Sequence, residues 1–430
     1  MSNLFNQSNA TLQAANGAKN RIHKGLGDLA TLEKGWQILK EQVSLPCATL
    51  ARSAIENNLN WMQRFADKAN VKLAPHGKTS MSPELFSAQI ASGAWGMSVA
   101  NAQQVVTAHH AGVKQIILAN QLVGRRNFDI VATVLKQHQG KIYVFADSQQ
   151  NLAAINDFFA PLNLDINVLI EMGVDNGRCG VRTPQQAEQL AQYIASAPAL
   201  KLAGLAFYEG VIHGDDAAQN IAKFVAQNVT LAKQLANDLL KDKQTDTQAE
   251  FLITGAGSAW YDIVSEHISL ANAQEILTAV IRPGCYLIHD TGIYEQAQQH
   301  VIERSPLACD IDSELINSLH IWAYVQSVPQ PGMAIVGLGK RDVAFDAGLP
   351  TPEQHFRPSD TAPTKVTGDW QVTRIMDQHA MLSVPENSDI QPGDMICLST
   401  SHPCLTLDKW RFVGIEDDNY CINQIIETHF

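Results

Sequence analysis

Eight short apolar runs recur along the first two thirds of this chain, and they constrain the fold more than any other feature. They read VKLAPHGK (71–78), WGMSVA (95–100), QIILANQ (115–121), KIYVFAD (141–147), INVLIEMG (166–173), KLAGLAFYEG (201–210), EFLITGAG (250–257) and AVIRPGCYLI (279–288). Between most of them the apolar residues take helical spacing, as at 83–92, 102–111, 184–195 and 217–240. Continuous apolar strands alternating with helices describe a parallel sheet covered on both faces. Eight such units predict a closed (β/α)8 TIM-type barrel rather than an open doubly wound sheet. No G-x-G-x-x-G follows the first run, so a dinucleotide fold has little support. Ahead of the barrel, 47–52 is a strand candidate. Ser53 is the expected cap of a helix carrying Ile55, Leu59, Met62 and Phe65 or Ala66 on one face.

From about Ser305 the texture changes to short β-rich segments such as HIWAYVQSVP, GMAIVGLG and DMICLST, punctuated by Pro, Gly, Asp and Asn. The α/β chain therefore divides into an arm (1–45) partly joining the β domain, a barrel (46–304) and a C-terminal all-β domain (305–430). A length of 430 residues with 45% hydrophobic and 17% charged side chains can fill two cores. The formal charge of −12 argues against a nucleic-acid or anionic-membrane partner. There is no run of ~20 apolar residues to span a membrane, and the polar N-terminal stretch does not resemble a signal peptide. Seven scattered cysteines then read as reduced thiols of a cytoplasmic protein.

Barrel chemistry sits at the carboxyl ends of the strands. The first run ends in His76-Gly77-Lys78-Thr79. A lysine at an apolar strand's rim is expected to be partly desolvated, which frees its amine for Schiff-base formation. The seventh ends in Thr254-Gly255-Ala256-Gly257-Ser258, small residues whose backbone N–H groups can cradle a phosphate. A reactive lysine and a phosphate cup together fit pyridoxal 5′-phosphate (PLP). Beyond strand five lie Glu171, Gly173, Arg178 and Gly180; the arginine could hold the cofactor's phenolic oxygen or order the rim through Glu171. Tyr208, ending strand six, could support the pyridine ring or its nitrogen. In the second domain, His402 and Cys404 stand two apart in a segment read as extended, so both would face one side, and both suit zinc. His379 could join them or stay on the surface.

PHGKT, the E-x-G-x(4)-R-x-G run from Glu171 to Gly180, YEG (208–210), TGAGS, RPGCY (282–286) and H-x-C (402–404) occur together and in order. This set resembles the metal-activated PLP enzymes that include eukaryotic-type D-serine dehydratase and D-threonine aldolase. The resemblance implies an alanine-racemase-like barrel (fold type III), a C-terminal β domain and a homodimer. It also implies Lys78 as the PLP lysine and Gly255, Gly257 and Ser258 near the phosphate. Arg178, Tyr208 and Tyr286 would be further pocket residues, with His402 and Cys404 as zinc ligands. H-x-C leans toward the dehydratases. Val211 follows YEG where aldolase-like members tend to have His, although His213 is two residues on. The implied activity is dehydration of D-serine or a related β-hydroxy-D-amino acid. Retro-aldol cleavage and a non-catalytic PLP carrier are the alternatives.

Overall fold

The computed structural model describes residues 9–16, 23–242, 250–272 and 277–430; parts of the expected arm, at 1–8 and 17–22, lie outside them. The eight apolar runs form eight parallel strands: Lys72–Leu73, Met97–Val99, Gln115–Gln121, Lys141–Ala146, Ile166–Met172, Leu200–Phe207, Phe251–Gly255 and Leu277–Ile281. They pair in the spatial order first, eighth, seventh, and so on down to second. The first and second strands meet at a bridge between His76 and Ser98. Trp95 N–H donates to the Leu73 carbonyl and Ser98 N–H to the Pro75 carbonyl, each at 2.8 Å, which closes the barrel. The first strand is short because Pro75 offers no N–H to a ladder.

Alternation decides which side chains fill the barrel. Ala74, Ile117, Tyr143, Phe145, Leu169, Ala206, Leu252 and Val280 pack inside it. Their neighbours, such as Ile116, Val144, Val168, Leu205 and Ile253, face outward onto the helices. The helices fall where the periodicity placed them: Pro83–Ala91, Ala102–His110, Pro184–Ser196 and Ala217–Asp242. Helix Arg52–Lys68 buries Ile55, Leu59, Trp61, Met62 and Phe65, each contributing roughly 1.5–3 kcal/mol by leaving water. Its N-cap is Ala51, not Ser53. The Ser53 hydroxyl instead donates to Asp418 at 2.8 Å, a tie to a residue far along the chain.

The second body is a mixed sheet of eleven strands. Strand Cys47–Ala51 sits inside it, parallel to Phe412–Glu416 and antiparallel to Leu319–Gln330. The chain thus begins in the β domain, crosses to the barrel and returns. Trp36–Gln37 adds an edge against Cys421–Glu427. The domain also carries the short helix Pro403–Leu407, in the segment expected to be extended. Proline at the first helical turn after a polar residue starts a helix readily, because its missing N–H would have no partner there. This helix packs on the 3-10 turn Gly77–Thr79, which carries Lys78. Thr406 seats it: its hydroxyl donates to the His402 carbonyl at 3.0 Å and accepts from Ala344 N–H at 3.1 Å. No helix among the described residues is long and apolar enough to cross a membrane.

Candidate active site

A cleft of about 290 Å³ opens at the carboxyl ends of the barrel strands, near the small end of the range for small-ligand sites. Its lining includes Lys78, Glu171, Arg178, Tyr208, Gly257, Ser258, Arg282 and Tyr294. Lys78 is exposed to this space rather than desolvated as its strand suggested, because it sits on the 3-10 turn past the strand end. His76, two residues earlier, caps that turn. Burial, then the positive charges of Lys78, Arg282 and Arg178, hold the His76 imidazole well below its usual pKa, so it is neutral.

On the far wall, the turn after strand seven is organised by a residue the sequence reading passed over. The buried carboxylate of Glu209 accepts the N–H of Ala256 at 3.0 Å and of Gly257 at 2.6 Å. Two of the amides expected to face a phosphate are therefore turned to Glu209. Ala256 holds φ 71°, in the left-handed region. Ser258 remains at the lining, and its hydroxyl accepts the N–H groups of Gly284 and Cys285, both at 3.2 Å. A Cβ on Gly257 would lie 3.0 Å from the Tyr208 ring, so the turn has no space for a side chain on that face. Gly255 is absent from the lining; a Cβ there would come within 2.2 Å of Phe207, which makes it a packing glycine.

Arg282 is the second residue left unassigned by the sequence, although it stands in the RPG run. It is buried, donating from Nε to Thr254 Oγ1 at 3.0 Å and from Nη2 to the Phe207 carbonyl at 2.6 Å. Burial lowers its pKa to about 10 against the opposing pull of Glu209 and Glu171, so it stays charged. Glu171, also buried, accepts from Gln121 at 2.5 Å, and burial pushes its carboxyl up. The Arg178 guanidinium lies 4.3 Å from the centre of the Tyr208 ring, at cation–π distance. Tyr286 is buried outside the cleft, where its hydroxyl accepts from Gln89 at 3.0 Å; Tyr294 lines the cleft instead.

The β domain closes one side. Cys404 Sγ lies 3.5 Å from Thr79 Oγ1 and 3.7 Å from Cys285 Sγ. The contact between the two thiols draws Cys285 below the usual thiol range and drives Cys404 up. His402 is the N-cap of the short helix, so the pair does not share one side of a strand. Its Nδ1 is 2.8 Å from Asp346 Oδ2, which leaves Nε2 for another partner. A carboxylate behind the imidazole is the usual support of a metal-binding histidine. His213 and His379 are both exposed.

The closed barrel, the cleft at its C-terminal mouth and the added mixed sheet define an alanine-racemase-like protein with a second domain. Residues 50–288 match the family model described as alanine racemase, N-terminal domain, and the chain belongs to that family. Residues 318–415 match a second model, described as "Putative serine dehydratase domain". A D-threonine aldolase of Arthrobacter sp is 28% identical over 311 residues, covering 72% of this chain and 75% of the aldolase. A D-threo-3-hydroxyaspartate dehydratase of Delftia sp. (strain HT23) is 29% identical over 136 residues, covering 32% of this chain and 35% of the dehydratase. The crystal structure of D-threonine aldolase from Filomicrobium marinum superposes with a TM-score of 0.74 at 22% identity, covering 92% and 97% of the two chains. Both of these relatives, an aldolase and a dehydratase, are lyases by name.

Proposed function

We propose that this chain is a PLP-dependent lyase that converts D-serine, or a related small β-hydroxy-D-amino acid, to a 2-oxo acid and ammonia. The observation that carries the reading is the meeting of the two domains at Lys78. Cys404 of the H-x-C pair sits 3.5 Å from the hydroxyl of Thr79, the residue next to the lysine. The thiol of the β domain thus touches Thr79 and Cys285, two residues of the lining that Lys78 shares.

The cleft suits PLP on its own geometry: an exposed amine, a turn with no space for a side chain at Gly257, an aromatic face at Tyr208 and a cation at Arg178. When bound, PLP supplies the electron sink for charge at the α-carbon. Lys78 would hold it through Nζ and, once the substrate amine had displaced that nitrogen, would take the α-proton on the freed amine. Arg178 would lie toward the negative end of the ring system, and Ser258, in the same lining, would stand at the phosphate. His402 and Cys404 would hold zinc, whose chemistry there is Lewis-acid assistance to a departing hydroxyl. Loss of hydroxide from the β-carbon, followed by release of the product, would give an enamine whose imine tautomer takes up water to yield the 2-oxo acid and ammonia.

Charge in the lining narrows the substrate. The cations there are Lys78, Arg178 and Arg282, and Arg282 is turned to Thr254 and the Phe207 carbonyl. With Lys78 and Arg178 turned to the cofactor, each substrate carboxylate would add a charge without a cation of its own among the described lining residues. This favours D-serine and D-threonine, with one carboxylate, over 3-hydroxyaspartate, with two. Likeness to a D-threonine aldolase supports retro-aldol cleavage as the second reading, although Val211 after YEG offers no base. Incubation with a panel of β-hydroxy-D-amino acids separates the two. Dehydration gives a 2-oxo acid and ammonia in equal amounts. Glycine with an aldehyde as the main products would replace this reading with the aldolase one.

A further inference from the structure

The β domain gathers a second set of metal-type donors, away from the cleft lining, that the proposed chemistry does not use. His320, Glu353 and Cys397 bring one ligand atom each within 4.8 Å of one another. We infer that this cluster is a structural zinc site that clamps three strands of the β domain.

The sheet itself builds the cluster. Trp322 pairs with Cys397, so their side chains share a face, and His320, two residues before Trp322, shares it too. On the other side of Met395–Ser399, the register with Thr351–Phe356 jumps from Pro352↔Leu398 to Gln354↔Cys397. Glu353 is the extra residue of that bulge. A bulged residue leaves the ladder and can be re-aimed, and here its carboxylate comes toward His320.

Distances favour a metal over a simple ion pair. His320 Nδ1 is 2.6 Å from Glu416 Oε1, which fixes Nε2 as the free nitrogen. Nε2 is 3.7 Å from Glu353 Oε2, beyond a hydrogen bond. Tetrahedral zinc with its usual N and O bond lengths has a ligand–ligand edge of about 3.4 Å, close to the separation seen. Glu416 occupies the supporting position behind the imidazole. Its Oε2 is buried without a hydrogen-bond partner, as is the Thr49 hydroxyl of the residue paired with His320. Cys397 is fully buried on the face that His320 shares, and a thiol that coordinates a divalent cation loses its proton outright. An imidazolium held between two carboxylates is the competing account. It assigns Cys397 no part and leaves Glu353 at ion-pair distance without a hydrogen bond.

The Cys404→Ala holoenzyme isolates this cluster from the donors beside Lys78. After exhaustive dialysis it should retain one zinc per chain by elemental analysis. Cobalt substitution should give it a thiolate-to-cobalt charge-transfer band. Adding Cys397→Ser should remove both signals. Glu353→Gln, a change at a partly exposed bulge, should weaken zinc retention against a chelator at least about tenfold while preserving the fold by circular dichroism. A Cys404→Ala protein without zinc or band, a band surviving Cys397→Ser, or unchanged retention in Glu353→Gln overturns the inference.

Discussion

Glu209→Gln tests the residue that shapes the far wall of the cleft. In the native protein both carboxylate oxygens are occupied, one by Ala256 N–H and one by Gly257 N–H. Glutamine offers one acceptor and one donor, so one of those amides loses its partner. A buried donor left unpaired costs about 1–3 kcal/mol. Ala256 adds to the stress, because a left-handed conformation at a residue with a Cβ costs roughly 1–2 kcal/mol. The turn should therefore relax away from its present course, and PLP binding should weaken about 10–100-fold, equivalent to about 1.4–2.7 kcal/mol. The assay is titration of the apoprotein with PLP, followed by the visible absorbance of bound cofactor, beside a thermal melt of the same samples. Ala256→Gly in the Glu209→Gln background should recover part of the loss, since glycine takes this φ without strain. Unchanged affinity would refute the reasoning. So would tighter binding, which would mean that the carboxylate acts on the phosphate by repulsion rather than by holding the turn.

Two further predictions follow from the same geometry. Borohydride reduction of the PLP-loaded protein should fix the cofactor to one peptide, that containing Lys78, and Lys78→Ala should abolish the labelling; a label on any other lysine would displace the assignment. Burial raises the Asp290 carboxyl from 3.8 to about 6, so the fold binds the extra proton in that window and loses stability as pH rises through it. Asp290→Asn keeps the acceptor that Gly292 and Tyr294 use and should raise stability at neutral pH by about 1–3 kcal/mol. A variant that melts lower at neutral pH, or keeps the same slope between about pH 4 and 6, would contradict this.

The barrel was legible because each of its strands is a local apolar run bounded by polar or glycine residues, and the alternation survives in one sequence. The strand ends were legible for the same reason, which is why Lys78, Arg178, Tyr208 and Ser258 all reach the cleft lining. What was missed depends on contacts distant in sequence. Glu209 stands within YEG, but nothing local says that a carboxylate is buried beneath a turn some 47 residues later. Asp346 meets His402 across 56 residues. Tyr286 and Tyr294 lie on one connecting stretch, and only packing decides that the second, not the first, faces the cleft. The helix at Pro403 is a different case. Proline directly after His402 was a start signal that the H-x-C pattern overrode.

The most direct test of the account uses the Cys404→Ala protein loaded with PLP and two substrates that differ in their leaving group. The claim is that the β domain brings His402 and Cys404 beside Lys78 to assist the loss of a poor leaving group, hydroxide. Release of 2-oxo acid is measured from D-serine and from β-chloro-D-alanine, whose chloride departs without such help. D-serine turnover should fall about 100-fold or more, while β-chloro-D-alanine is still consumed and the absorbance of bound cofactor is unchanged. Dehydration of D-serine at the rate of the unmodified protein, or equal loss of both reactions with the cofactor still in place, would contradict it.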